Sequence, residues 1–237
     1  MKEKEKYMSL ISNVPSKYDN PEMLYREGLF VRRGKKNWIS DAVSHKLESD
    51  IAQVIGSIVS ITRKASYNVP HRGDYASKSP RIKEKVLAIW LCNRKVDLGG
   101  LGKCMAYEIP LCDKRSDSYG KIDLLSYNAD QNTLYLIELK KPESTESLNR
   151  AILEISTYYQ VIDQQKLLMD MGLPEDTEIK KAVLVHENSI AKKDYSDIKG
   201  RIADLLSVSI WTYGIDVIQY TPENMPSVDS VVTNKLH

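Results

Sequence analysis

The sequence predicts an α/β domain in which helices pack on a mixed β-sheet. Three observations carry this. Two apolar runs, Ile122–Tyr127 and Leu134–Leu139, flank the polar turn segment Asn128–Thr133 as in a β-hairpin. Apolar residues at three and four spacing mark helices before and after that hairpin. A further buried-strand run, Lys181–His186 (KAVLVH), follows the second helix. Strands and helices interleaved in this way build layered α/β structure.

In chain order, residues 1–40 read as an N-terminal helical and basic extension. Pro15, Asp19, Asn20 and Pro21 punctuate it, Gly28–Arg33 can form a short strand, and Arg32, Arg33, Lys35 and Lys36 make its densest basic cluster. Residues 41–220 form the main domain. Residues 221–237 are a tail with two prolines and no periodicity, expected to be poorly ordered. Val43, Leu47, Ile51, Val54, Ile55 and Ile58 predict a helix over 41–62, capped by Ser40 or Asp41. In 63–80, Arg63, Lys64 and Arg72 are interleaved with Tyr67 and Tyr75. That pattern suits phosphates and stacked bases, or simply an exposed loop.

A helix at about 81–92 comes next, then a glycine-bearing loop without the GK[ST] of a P-loop. Met105–Leu111 is the first strand of a meander. Its Pro110 cannot donate a ladder hydrogen bond, which predicts an edge or irregular position. Pro142 stops the hairpin's second strand, and Ser144 or Thr145 can cap a helix running to about Met169. Leu148, Ile152, Ile155, Tyr159 and Ile162 are its apolar stripe. Gly172 and Pro174 close it. An amphipathic helix over Asp197–Leu206 and a last strand or hairpin over Val208–Tyr220, turning at Gly214, complete the domain.

The hairpin also carries chemistry. With Asn128–Thr133 as the loop, Tyr127 pairs with Leu134 and Asp123 with Glu138, whose Cβ atoms then lie roughly 4.5–5.5 Å apart. Glu138 and Lys140, two residues apart, project from one face. Adjacent carboxylates repel, and one is driven to protonate unless a cation intervenes. A hard divalent ion supplies that cation, and Mg²⁺ typically takes one or two carboxylates with water and substrate phosphate. The competing reading is a surface cross-strand cluster in which Lys140 neutralises the pair. A second E-x-K, Glu178-Ile-Lys180, lies in a polar segment with no matching hairpin.

GKIDLL, then LIELKK, then a helix resembles the core of the PD-(D/E)XK nuclease superfamily over about residues 108–187. The resemblance implies a restriction-endonuclease-like α-β-β-β-α-β core. It also implies Mg²⁺ or Mn²⁺ held by Asp123, Glu138 and the Leu139 carbonyl, with Lys140 positioning or activating water. Ile122 stands where the name-giving proline would be. A glutamate on the first core helix of such proteins approaches the metal, which makes Glu48 a further ligand candidate and His45 a weaker one. Glu108, on the strand before the aspartate, ranks below Glu48. Exonuclease-like branches carry Gln-x-x-x-Tyr on the following helix; here the segment is Glu154-Ile-Ser-Thr-Tyr158. Glu154 and Tyr158 are thus candidates to orient Lys140 or a phosphate, with packing as the other role for the tyrosine.

The formal net charge of +2 hides an asymmetry. Residues 1–100 carry 19 Lys and Arg against 11 Asp and Glu, whereas residues 101–237 carry 15 against 21. A basic half beside an acidic one suits a protein that holds a polyanion against a metal site, and also an ordinary solvated surface. No apolar run approaches bilayer length, and the MKEKEK start is not a signal peptide. Cys92, Cys104 and Cys112 lack C-x-x-C spacing and are expected to be reduced, packed thiols in a cytoplasmic protein.

The expected function is a metal-dependent nuclease acting on nucleic acid, DNA before RNA, with no membrane partner; a homodimer is left open. Lys140→Ala is expected to abolish cleavage and leave the fold intact. The alternatives are a non-catalytic module binding nucleic acid or protein on the same scaffold, and hydrolysis of another phosphate ester.

Overall fold

A computed structural model describes residues 29–32, 35–38, 51–69, 84–113, 120–142, 144–198, 201–214, 231 and 233–236. Its centre is a six-stranded mixed sheet. The strands are β3 (Lys103–Pro110), β4 (Lys121–Asn128), β5 (Thr133–Lys140), β6 (Glu178–His186), β7 (Val208–Tyr213) and β8 (Thr233–Lys235), lying side by side in that order. β3, β4 and β5 form an antiparallel meander. β6 and β7 then add in parallel, and β8 closes the far edge antiparallel to β7. A separate hairpin, β1 (Leu29–Arg32) with β2 (Lys35–Trp38), pairs Arg32 with Lys35.

The helices are α1 (Ile51–Gly56), α2 (Glu84–Asn93), α3 (Leu148–Val161), α4 (Gln164–Met171), α5 (Ile190–Ile198) and α6 (Arg201–Leu206). One face of the sheet, with Leu134 and Leu136 of β5, packs against α1, α3 and α6. The other, with Tyr135, Ile137 and Leu139, packs against α2. β5 is therefore buried at all eight positions, as its near-continuous apolar reading requires of a strand covered on both faces.

The hairpin register is as expected: Tyr127 pairs with Leu134 and Leu124 with Ile137. Its loop is shorter, because Asn128 and Thr133 also pair and Asn132 takes a positive φ of 45° to close the turn. β3 is an edge strand, as Pro110 predicts, and its register slips between Cys104 and Ala106. Cys92 and Cys104 are buried and unbridged.

Three expectations are corrected. The helix over about 144–169 is two helices. At the break Ile162 is extended and bridges to Ile61, and the Asp163 carboxylate accepts from the Lys166 amide and the Thr62 hydroxyl. The N-cap of α3 is Ser147, whose hydroxyl accepts from the Arg150 amide, so Ser144, Thr145 and Glu146 precede the helix. Of the predicted helix over Asp197–Leu206, Asp197 and Ile198 end α5 and Arg201–Leu206 form α6; residues 199–200 lie outside the described residues. The tail is tied at its end: Leu236 N donates to Ile210 O at 2.8 Å, and Tyr195 Oη donates to Leu236 O at 2.7 Å. Residues 41–50 of the first predicted helix, and 215–220 of the last predicted strand or hairpin, lie outside the described residues.

Candidate active site

The meander delivers its charged side chains to one end of the sheet. Leu134, Leu136, Glu138 and Lys140 share the α3-facing side of β5. The first two fill the core; Glu138 and Lys140 end the strand beneath α3, 3% and 2% exposed. Extending the observed register by one residue sets Asp123 opposite Glu138. Asp123 is partly exposed, and its Oδ2 accepts from the Leu139 amide at 2.9 Å. A strand residue that exchanges bonds with a neighbour turns its N–H and C=O the same way. The Leu139 carbonyl therefore opens toward Asp123 as well.

Among the described residues, Lys140 is the one ammonium at the centre. Its Nζ lies 2.6 Å from Glu138 Oε1, 2.7 Å from Glu146 Oε2 and 4.0 Å from Glu154 Oε2. Glu154 Oε1 in turn accepts from Tyr158 Oη at 2.8 Å. Tyr158 is held from the other side by Gly120, whose φ is +82° and where a Cβ would collide with the hydroxyl. Tyr213 Oη donates to the Lys140 carbonyl at 3.1 Å.

Two acids at this site were not singled out from the sequence. Glu84, in the first turn of α2, accepts from the Lys141 amide at 3.3 Å. Glu146, just before the α3 cap, takes the second side of Lys140 and pairs with Arg150 Nε at 3.4 Å. The only sequence signal for either was an acid within a residue or two of a helix start. Glu48 and His45 lie outside the described residues; the helix leading into the meander is α2, and its acid is Glu84.

The electrostatics follow from crowding. Burial, then the Asp123 and Glu154 charges, push Glu138 well above the usual carboxylate range despite Lys140. Burial raises Asp123 to about 7, with Lys140 and the Leu139 amide opposing. Burial also raises Glu84. Burial pushes Glu146 up too, but the Lys140 ammonium outweighs it and holds that carboxyl below its ordinary value. Lys140 is pushed down by burial and carried well above its ordinary value by Glu138, Glu154, Glu84 and Glu146. One lysine thus faces five carboxylates, and Glu138 Oε2 is buried with no hydrogen-bond partner. A buried acceptor left unmatched costs about 1–3 kcal/mol, and more when charged.

Among the described residues no group of three or more His, Cys, Asp or Glu is set to hold a metal ion. The candidate oxygens at this end of the sheet are Asp123 and the orphaned Glu138 Oε2, set opposite each other in the extended register, with the Leu139 carbonyl on the Asp123 side. They fit an open shell of oxygen ligands completed by water and phosphate, the arrangement Mg²⁺ favours.

The remaining candidates are placed elsewhere or bound internally. Glu108, at a positive φ of 47°, pairs with Lys85 at 2.5 Å and Lys121 at 3.5 Å. Arg63 donates to Ser66 O at 2.6 Å and lies 3.5 Å from Asp113, so it braces its own loop. The Lys64 amide donates to Asp113 Oδ2 at 2.9 Å. Arg32, Lys35 and Lys36 lie on the β1–β2 hairpin, while Arg33 and Arg72 fall outside the described residues. No described helix is long and apolar enough to cross a membrane.

No family model, no curated protein and no solved structure matches the chain.

Proposed function

We propose that the chain is a Mg²⁺- or Mn²⁺-dependent nuclease that hydrolyses phosphodiester bonds in nucleic acid, DNA before RNA. The observation that carries this is the charge balance at the end of β5: five carboxylates about one lysine, with a buried oxygen of Glu138 unmatched. With Arg150 beside Glu146 the cluster still holds more carboxyls than cations, a shortfall that a divalent ion would make up. The element order α2, β3, β4, β5, α3, α4, β6, apart from the added helix α4, is also similar to the α-β-β-β-α-β core of the superfamily that the hairpin motif resembles.

Asp123 and Glu138 would hold the ion, with the Leu139 carbonyl beside them. When bound, a divalent ion offsets charge on the scissile phosphate and lowers the pKa of water. Lys140, fully charged in its carboxylate nest, orients the attacking water and meets negative charge as it builds on phosphorus. Glu154, braced by Tyr158, and Glu146 set the Lys140 ammonium in place. Tyr213 and Glu84 anchor the backbone of Lys140 and Lys141 at the strand's end.

The test incubates supercoiled plasmid, linear duplex, single-stranded DNA and RNA with the protein in Mg²⁺, Mn²⁺ or EDTA, beside Glu138→Gln. Cleavage that needs metal and drops by on the order of 10²–10³ in the variant is expected. No cleavage of any substrate by the parent overturns the proposal. The Glu138–Lys140–Glu146 ion pairs favour one competitor, a non-catalytic binding module in which Lys140 itself is the counter-ion. Nucleic-acid binding that persists in EDTA without cleavage identifies it.

A further inference from the structure

At the opposite end of the same strands lies a cleft of about 640 Å³, between the start of β6, the start of β7, the end of α3 and β8. Lys181 pairs in register with Leu136, and Val185 with Lys140. Four residues of β6 therefore separate this cleft from the carboxylate cluster, a distance of about 13 Å. One phosphate cannot serve both places.

The walls of the cleft carry three lysines, three aromatic rings and one acid, Glu178. Lys180, Lys181 and Lys235 line it. Among the described residues only Lys180 has a carboxylate partner, Glu178 at 2.8 Å. Lys181 is held in place. Its Nζ sits 4.8 Å from the centroid of the Tyr159 ring and donates to the Leu206 carbonyl. Burial alone pushes it down to about 8, the mark of an ammonium drawn from water without a counter-charge. Trp211 is fixed too: its Nε1 donates to Ser209 Oγ at 3.0 Å, and Gly100 packs against the far edge of the ring so closely that a Cβ there would displace it. Lys235 pairs in register with Trp211, and Lys180 continues the Ala182–Leu184 row of β6, so both project from the Trp211 face of the sheet, while Lys181 projects from the α3 face. A pre-set flat ring beside two ammoniums recognises a ligand that is both planar and anionic. The volume lies in the range of small-molecule sites.

We propose that this cleft binds a nucleotide, its phosphate on Lys180 and Lys235 and its base against Trp211. The nucleotide is either free or one unit of a strand, and the site does not depend on the nuclease assignment.

Calorimetric titration in EDTA tests this with AMP, UMP, adenosine, inorganic phosphate and an unstructured oligothymidylate, using the full chain. The expected result is saturable binding of a mononucleotide, of the oligonucleotide, or of both, and the pattern identifies the source. Adenosine and inorganic phosphate should each bind at least about tenfold more weakly, because each loses one half of the recognition. Lys180→Ala with Lys235→Ala, and separately Trp211→Phe, should weaken binding by about tenfold without changing the melting temperature by more than a few degrees. Asp123→Asn should leave it unaltered. Failure of every nucleotide and oligonucleotide to bind overturns the proposal. So do inorganic phosphate binding as tightly as AMP, and binding untouched by the cleft variants.

Discussion

Replacing Asp123 by asparagine separates the cost of charge at the site from its shape. The amide oxygen still accepts from Leu139 N, so the hydrogen bond to the end of β5 is kept; only the negative charge is removed. Burial raises the Asp123 carboxyl from its ordinary 3.8 to about 7. Between those values the folded protein binds more protons than the unfolded one, so this group's contribution to stability falls as pH rises. Above pH 7 the whole cost is present. The rise from 3.8 to about 7 corresponds to at most about 4 kcal/mol, an upper figure because Asp123 is partly exposed and neighbouring acids share protons. Asp123→Asn should therefore be nearly neutral at pH 4 and stabilise the metal-free protein at pH 8. With a urea dependence of about 2 kcal/mol/M, the midpoint should rise by up to about 2 M. Urea unfolding in EDTA at pH 4, 6 and 8, parent against variant, measures it. A variant less stable than the parent at pH 8, or a difference that does not change with pH, refutes the electrostatic account of the site.

Two further variants probe the neighbours. Lys140→Ala, expected from sequence to leave the fold intact, should instead destabilise the protein by about 3–5 kcal/mol at pH 7.5, because it strands buried carboxylates. The loss should shrink at pH 5 as they protonate, which chemical denaturation can read directly. Gly120→Ala should cost about 1–2 kcal/mol for its left-handed backbone and more for displacing Tyr158. Tyr158→Phe made in the Gly120→Ala background should recover part of that loss, since it removes the oxygen that collides.

The hairpin and its charged face were legible because a strand's period of two fixes which residues share a side once one pair is known. Asp123, Glu138 and Lys140 needed only the Tyr127–Leu134 register. The acids that complete the cluster were not legible, because they arrive from elsewhere in the chain. Glu84 comes from α2, and Glu146 from a segment whose cap had been misplaced by two or three residues. The break at Ile162 was hidden for a related reason. Its residues continue the apolar stripe of α3, and only the bridge to Ile61 and the Asp163 cap divert the chain. β8 has no apolar pattern at all; Thr233–Lys235 is a strand because β7 offers an unpaired edge. The cleft around Lys181 was equally invisible, since its walls are drawn from distant parts of the chain.

Calorimetric titration of Mn²⁺ into metal-free protein at pH 7.5 addresses the charge imbalance at the end of β5 most directly. The account predicts one saturable site that releases protons on binding and disappears in the Asp123→Asn, Glu138→Gln double variant. No heat of binding, or identical binding by parent and double variant, contradicts it.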